Sequence, residues 1–305
     1  MLIQEAAIWR PTRSGVVAEL EPFAAACEHR RSHRIVHPID DFLFDYYSLR
    51  PSQLRRWSPG PGVLLLDASP EELDHGRMFI FIDGVLRLPP YPERRRTFLN
   101  WLIRYLEAVA SRPMALGCFG MHEWAMVYRT NDVRHSATPL RLSSEEIAAV
   151  VESSELRCTH FDAFRFFTPA AAPRNRIALS RAATTEHDQP GCVHVTMDLV
   201  RYAMKLAPWC PTRLFADCFH LARAARIVDM RASPYDLTAY GLEPIHIETR
   251  DGRDEYAAAQ RELAAKAEPL RQRLLSLLRE LASPSALACS TDARPCLTDS
   301  AANLG

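Results

Sequence analysis

Residues 191–208, GCVHVTMDLVRYAMKLAP, hold the most chemistry in one short stretch. Wound as a helix, they bring His194, Asp198, Arg201 and Lys205 into one narrow arc, because positions three and four apart share a face. The rest of the surface carries Val195, Met197, Leu199, Val200, Tyr202, Ala203, Met204 and Leu206. That is too apolar for a peripheral helix. The polar stripe therefore faces either a strip of solvent or an internal polar cavity. In a cavity, His194 and Asp198 form a ligand pair or an acid/base pair.

Other residues have matching chemistry. The segment 117–129, GCFGMHEWAMVYR, has a Gly-bounded turn leading into His122 and Glu123. The segment 158–169, CTHFDAFRFFTP, joins His160 and Asp162 to Phe161, Phe164, Phe166 and Phe167. Those phenylalanines read as core or as the wall of an aromatic pocket, and Arg165 among them reads as a buried ion pair or an anion contact. Residues 212–230 place Asp217 and His220 three apart. They also place Asp229 inside the apolar arc of Leu214, Cys218, Leu221, Ala225 and Val228. A carboxylate buried there needs a partner, and Arg226 or Arg231 can supply it. A buried carboxylate of this kind is also a candidate for a shifted pKa. Tyr235 and Asp236 follow the helix and reach back toward a site or cap a loop.

Together, His37, His122, His160, His194, Asp40, Glu123, Asp162, Asp198, Asp217 and Asp229 form a histidine/carboxylate set. Such sets on facing helices can hold a divalent iron, manganese or zinc ion. His122, His160, His194 and Asp198 are the residues expected as ligands. Asp198, Asp229, His194, His122 and Glu123 are the expected catalytic groups. The spacing D-x-x-H of Asp217 and His220 is closest to that of di-iron bundles. The chain lacks G-x-G-x-x-G, a P-loop, G-x-S-x-G and H-E-x-x-H; Met126 stands where the second histidine of the last would be.

Residues 37–62, HPIDDFLFDYYSLRPSQLRRWSPGPG, mix aspartates, aromatics, arginines and Pro-Gly pairs. Arg50, Arg55, Arg56 and Trp57 can grip a phosphate and stack on a base. The alternative is a packed helix followed by an irregular cover over the core.

The elements that must position these groups read as mostly helical. Residues 97–110 are apolar on nearly all sides, which makes a buried helix. At 142–154, Ser143 and Glu146 form a capping box. Residues 254–281 align Leu263, Ala267, Leu270, Leu274, Leu277 and Leu281, with charge on the other face. Residues 62–69, 77–88 and 244–249 carry β signals, the second with a hairpin turn at Asp83-Gly84. The expected fold is mainly α: one compact helical domain over 1–282 with minor β hairpin or ribbon elements. Residues 283–305, small and polar, read as a disordered tail.

The chain has 305 residues, 48% of them hydrophobic, and no formal net charge. A non-specific nucleic-acid binder is usually basic, so zero charge disfavours that class. The eight cysteines, at 27, 118, 158, 192, 210, 218, 289 and 296, form no C-x-x-C pair. They read as free thiols of a reducing compartment. No signal peptide and no apolar run near the roughly 18 residues of a bilayer span is evident. The expected location is the cytoplasm, with no membrane partner.

Five segments carry a resemblance: HPIDDFLFDYYSLRPSQLRRW, CFGMHEWAMVYR, HFDAFRFFTPAAAPRN, QPGCVHVTMDLVRYAMKLAP and DMRASPYDL with IETRDGRDEY. Over roughly residues 30–275 the chain resembles a bacterial family commonly labelled 3-methyladenine DNA glycosylase. The resemblance implies excision of alkylated purines from DNA by cleavage of the N-glycosidic bond. The phenylalanine cluster with Phe161, Phe164 and Arg165 would then supply the pocket for a flipped base, the segment from Arg50 to Trp57 would grip the backbone and stack on a base, and Tyr235 would be a further substrate contact. Asp198 or Asp229 would stabilise the cationic sugar or activate water. No helix-hairpin-helix with a downstream aspartate is found. Two further classes follow from the residues themselves: a metal-dependent enzyme for a small molecule, and a non-enzymatic binding protein.

Overall fold

The computed structural model describes residues 1–73, 78–82, 84–133 and 137–283. The helices, in chain order, are α1 (Ala6–Ser32), α2 (Phe42–Tyr46), α3 (Pro51–Leu54), α4 (Arg96–Ser111), α5 (Met121–Ala125) and α6 (Ser144–Ser153). They continue with α7 (Phe161–Phe164), α8 (Thr184–His187), α9 (Val193–Lys205), α10 (Thr212–Arg231) and α11 (Arg250–Ala282). The strands are β1 (Leu2–Gln4), β2 (Val63–Leu66), β3 (Ile80–Ile82) and β4 (Val85–Arg87). The fold is mainly α, as the sequence indicates.

α9 packs along α10, and α11 lies across α10, α9 and α4. Every residue of α9 from Val193 to Val200 is buried, which places it at the centre. α11 buries Leu263, Ala267, Leu274, Leu277 and Leu281 and closes this layer from outside. α6 begins at the anticipated capping box. The Ser143 hydroxyl accepts the Glu146 N–H at 3.2 Å, and the Glu146 carboxylate accepts the Ser143 N–H at 2.8 Å. Among the described residues, no helix is long and apolar enough to cross a membrane.

The sheet is small, in the order β1-β2-β4-β3. β1 runs parallel to β2, with Leu2 beside Val63. β2 and β3 flank β4 in antiparallel register, with Leu65 beside Leu86 and Phe81 beside Leu86. The hairpin expected over 77–88 forms; its Asp83 lies outside the described residues, as do residues 74–77, 134–136 and 284–305, with the two cysteines among the last. The tail reading therefore falls almost wholly outside them too.

The strand expected at 244–249 does not form. Ile245 and Ile247 are fully buried, but no strand lies beside them among the described residues; the Ile245 N–H donates instead to the Arg231 carbonyl at the end of α10. The segment instead leads into α11, where the Thr249 hydroxyl accepts the Gly252 N–H. Gly252 sits directly on the preceding turn: a Cβ there would stand 2.0 Å from the His246 carbonyl oxygen. Gly252→Ala is thus expected to destabilise the protein by about 1–3 kcal/mol, the usual cost of overpacking. Thermal unfolding of the two proteins side by side measures this; equal midpoints would refute it.

Candidate metal centre

Three core elements bring His122, His194 and Asp229 together. His122 lies on α5, a single turn whose entry is fixed by Gly120. That glycine has φ of 70°, a left-handed conformation, and a Cβ there would press on Ala232 at 3.1 Å. The Trp124 indole N–H donates to the Ala232 carbonyl at 2.8 Å and ties α5 to the end of α10. His194 is the second residue of α9, and Asp229 lies in the last turn of α10. The start of α9 is anchored from outside: Gln260 of α11 donates to the Gly191 carbonyl at 2.5 Å, and Gln189 bonds Ala115 and Gly191.

One ligand atom from each of His122, His194 and Asp229 lies within 4.8 Å of the others. All three residues are buried, with exposures of 3%, 5% and 0%. The two imidazoles meet edge to face at 4.4 Å between centroids. His122 Nε2 stands 2.9 Å from Asp229 Oδ1, a buried imidazole–carboxylate pair. Burial lowers the pKa of His122, but the Asp229 carboxylate outweighs it and carries the group up to about 10. Burial, and the charge of His122 beside it, push His194 well below the usual imidazole value. Burial opposes ionisation of Asp229, but His122 wins and keeps its pKa low.

A buried arginine completes the charge balance. Arg226 Nη1 donates to Glu123 Oε1 at 2.6 Å and to Asp229 Oδ2 at 2.9 Å. Its guanidinium also lies over the Phe42 ring at 4.0 Å. The arginine therefore fixes one oxygen of Asp229 and leaves the other turned toward His122. No family model, curated protein or solved structure matches the chain.

A second imidazole–carboxylate pair stands beside the first. The His160 ring stacks on His194 at 5.3 Å with 13° between planes. His160 Nδ1 lies 3.0 Å from Asp188 Oδ1, and the Tyr105 hydroxyl donates to Asp188 Oδ2 at 2.7 Å. Burial lowers the His160 pKa, but Asp188 outweighs it and brings it to about 9. Its Nε2 has no hydrogen-bond partner among the described residues.

The α9 stripe runs outward from this point. Asp198, one turn after His194, accepts the Tyr47 hydroxyl at 2.9 Å and lies 3.3 Å from Arg201 Nη1. Burial raises the pKa of Asp198 against the opposing pull of His160 and Arg201. Arg201 also reaches Asp162 at 2.9 Å, and Lys205 is exposed at the rim. The stripe is thus neither wholly solvated nor wholly enclosed. Two openings meet it. A cavity of about 20 Å³ is lined by Phe42, Tyr46, Glu123, Asp162, Phe166 and His194 among others, room for about one water molecule. Beyond Tyr46 and Asp162 lies a wider vestibule of about 290 Å³.

The ligand set expected from the residues alone is therefore rearranged. His122 and His194 converge as expected, but the carboxylate that meets them is Asp229. Asp198 is turned away by Tyr47 and Arg201, and His160 is held by Asp188. Glu123 lies beside the centre on Arg226. Asp217 and His220 are elsewhere: Asp217 pairs with Arg213 and Arg273, and His220 lies 2.7 Å from Glu19. His37 caps its own turn by accepting the Asp40 N–H at 3.0 Å.

Among the expected substrate contacts, Phe161 and Arg165 edge the vestibule region, while Phe164 packs on Phe167 at 5.1 Å. Tyr235 is buried, with its backbone bridged to Leu140. Trp57 is buried and stacks on Trp9 at 6.0 Å, so it is not a free face for a base. Arg50 is exposed as the cap of α3, and Arg55 is held by Glu21 and Glu28. The residues that sequence reasoning missed are Asp188, Tyr47 and Arg181. Asp188 opens the turn Asp188-Gln189-Pro190-Gly191, a signal for a helix entry but not for a charged partner of His160.

Proposed function

We propose that the protein is a metal-dependent enzyme acting on a small molecule, with a divalent iron, manganese or zinc ion held by His122, His194 and Asp229. The observation that carries this reading is the convergence of two imidazoles and one carboxylate within 4.8 Å in the core. It is joined by the 2.9 Å approach of His122 Nε2 to Asp229 Oδ1. Two histidines and a carboxylate suit these three metals and leave coordination positions open. Bound there, the ion would supply Lewis-acid activation of water or of a substrate oxygen.

The chain's own residues support that chemistry. Arg226 orients Asp229 from behind, the role that outer partners play for metal ligands. Without metal, the charges of His122 and Arg226 balance those of Glu123 and Asp229. Exchange of the His122 proton for a divalent ion would leave the cluster one positive charge in excess. An anionic group of a substrate would restore the balance. His160, held through Nδ1 by Asp188, keeps Nε2 available to move a proton beside His194.

Inductively coupled plasma mass spectrometry of the purified protein tests the reading. About one equivalent of iron, manganese or zinc per chain is expected, and metal-free protein that also fails to take up these ions would sink it. The DNA-glycosylase reading draws its support from the sequence resemblance. Its grip on DNA loses Trp57, which is packed on Trp9. Release of alkylated purines from methylated DNA by metal-free protein would favour that reading over this one.

A further inference from the structure

The wide vestibule in front of the centre has an unusual charge arrangement. Arg165, Arg181, Arg201 and Lys205 line it together with Tyr46, Tyr47 and Asp162. Asp162 alone is shared by three arginines: Arg201 at 2.9 Å, Arg165 at 3.4 Å and Arg181 at 3.6 Å. Asp198 contributes a second carboxylate, 3.3 Å from Arg201, from deeper in. Four cations thus face two carboxylates. Lys205 forms no ion pair among the described residues; its ammonium lies 5.9 Å from the Phe98 ring.

Exposed ion pairs usually form one to one and contribute little. Here the partners come from three separate places, α7, α9 and the segment before α8, and they converge on a concavity. An adjoining cavity of about 120 Å³ shares Asp162, Arg181, Arg201 and Lys205 and adds Trp101, Phe161 and Tyr202 as aromatic walls. His160 and Asp198 form part of its lining. The two adjoining cavities together offer excess positive charge, aromatic surface and His160.

We infer that this vestibule binds a small organic anion, a carboxylate or a phosphate monoester, by the arginine and lysine cluster, with its apolar body against Trp101 and Phe161. Guanidinium groups suit the planar oxygens of both anions. The volume is near the lower end of small-molecule sites, roughly 300–1,000 Å³, and the chain as a whole has no net positive charge to hold a long polyanion. As the substrate class of a metal enzyme this rests on the reading above, but anion binding itself needs no metal. A phosphate of DNA offers the same chemistry from another source, so the test includes it.

Isothermal titration calorimetry at low salt, on metal-loaded and metal-stripped full-length protein, decides the matter. The probes are phenyl phosphate, benzoate and the neutral benzamide. Phenyl phosphate or benzoate is expected to bind and benzamide not. The Arg181→Ala, Lys205→Ala variant is expected to bind the anion about tenfold or more weakly, the effect of one charge-assisted hydrogen bond. Arg201 stays intact in that variant, so Asp198 keeps its partner, and circular dichroism checks the fold. Binding of benzamide as tight as benzoate, unchanged binding by the variant, or no binding of either anion would overturn the inference. A methylated DNA duplex that displaces phenyl phosphate with much higher affinity would overturn the small-molecule assignment. Anion binding by a protein that never takes up metal would sink the metal-enzyme reading and leave this one standing.

Discussion

An Asp229→Ala variant is expected to lose about 3–5 kcal/mol of stability, the cost of removing one partner from a buried ion pair. Asp229 has no exposed surface, accepts Arg226 Nη1 at 2.9 Å and faces His122 at 2.9 Å. Without it, two buried cationic groups share the single carboxylate of Glu123. Asp229→Asn keeps the shape and one acceptor, so it is expected to lose less. Urea unfolding measures both, with an unchanged slope showing that the transition itself is comparable. A midpoint for Asp229→Ala equal to that of the native protein would mean that the ion network carries no structural weight.

His194→Leu is expected to separate metal from fold. His194 is the proposed ligand whose pKa burial and His122 hold low, so an apolar side chain of similar size replaces it without stranding a charge. The fold is expected to survive, with the same far-ultraviolet circular dichroism. Metal affinity is expected to fall by more than the roughly 10–100-fold that loss of an outer partner costs. Arg226→Met, which leaves the three proposed ligands in place and removes the partner shared by Asp229 and Glu123, is the comparison for that smaller effect. A His194→Leu protein that retains a full equivalent of metal would exclude His194 as a ligand.

The parts of this structure that are legible in the sequence are those set by local period. The apolar arc of residues 212–230 already contains Asp229, and the structure buries it fully. Arg226, one turn earlier, is a partner that the helical spacing offers and is also a partner observed. The capping box at Ser143 marks the start of α6 to the residue. What local pattern cannot give is which carboxylate meets His194. Asp198 shares its helical face, but Asp229 reaches it across the packing of α10 on α9. The turn carrying Asp188 and the chain around α2 carrying Tyr47 are placed by long-range contacts in the same way. The segment 244–249 has the alternation of a strand, but no strand lies beside it among the described residues, and alternation alone does not pair a backbone.

The burial of α9 also bears on time. Local fluctuations open the edges of a protein far more often than its centre, and central amides exchange with solvent only when the whole fold opens. His194 lies in the run of α9 from Val193 to Val200 that is wholly buried. The amides of this run are therefore expected to be among the last of the chain to exchange, so the backbone that carries His194 is held by global stability while its side chain stays reachable through the small cavity it lines.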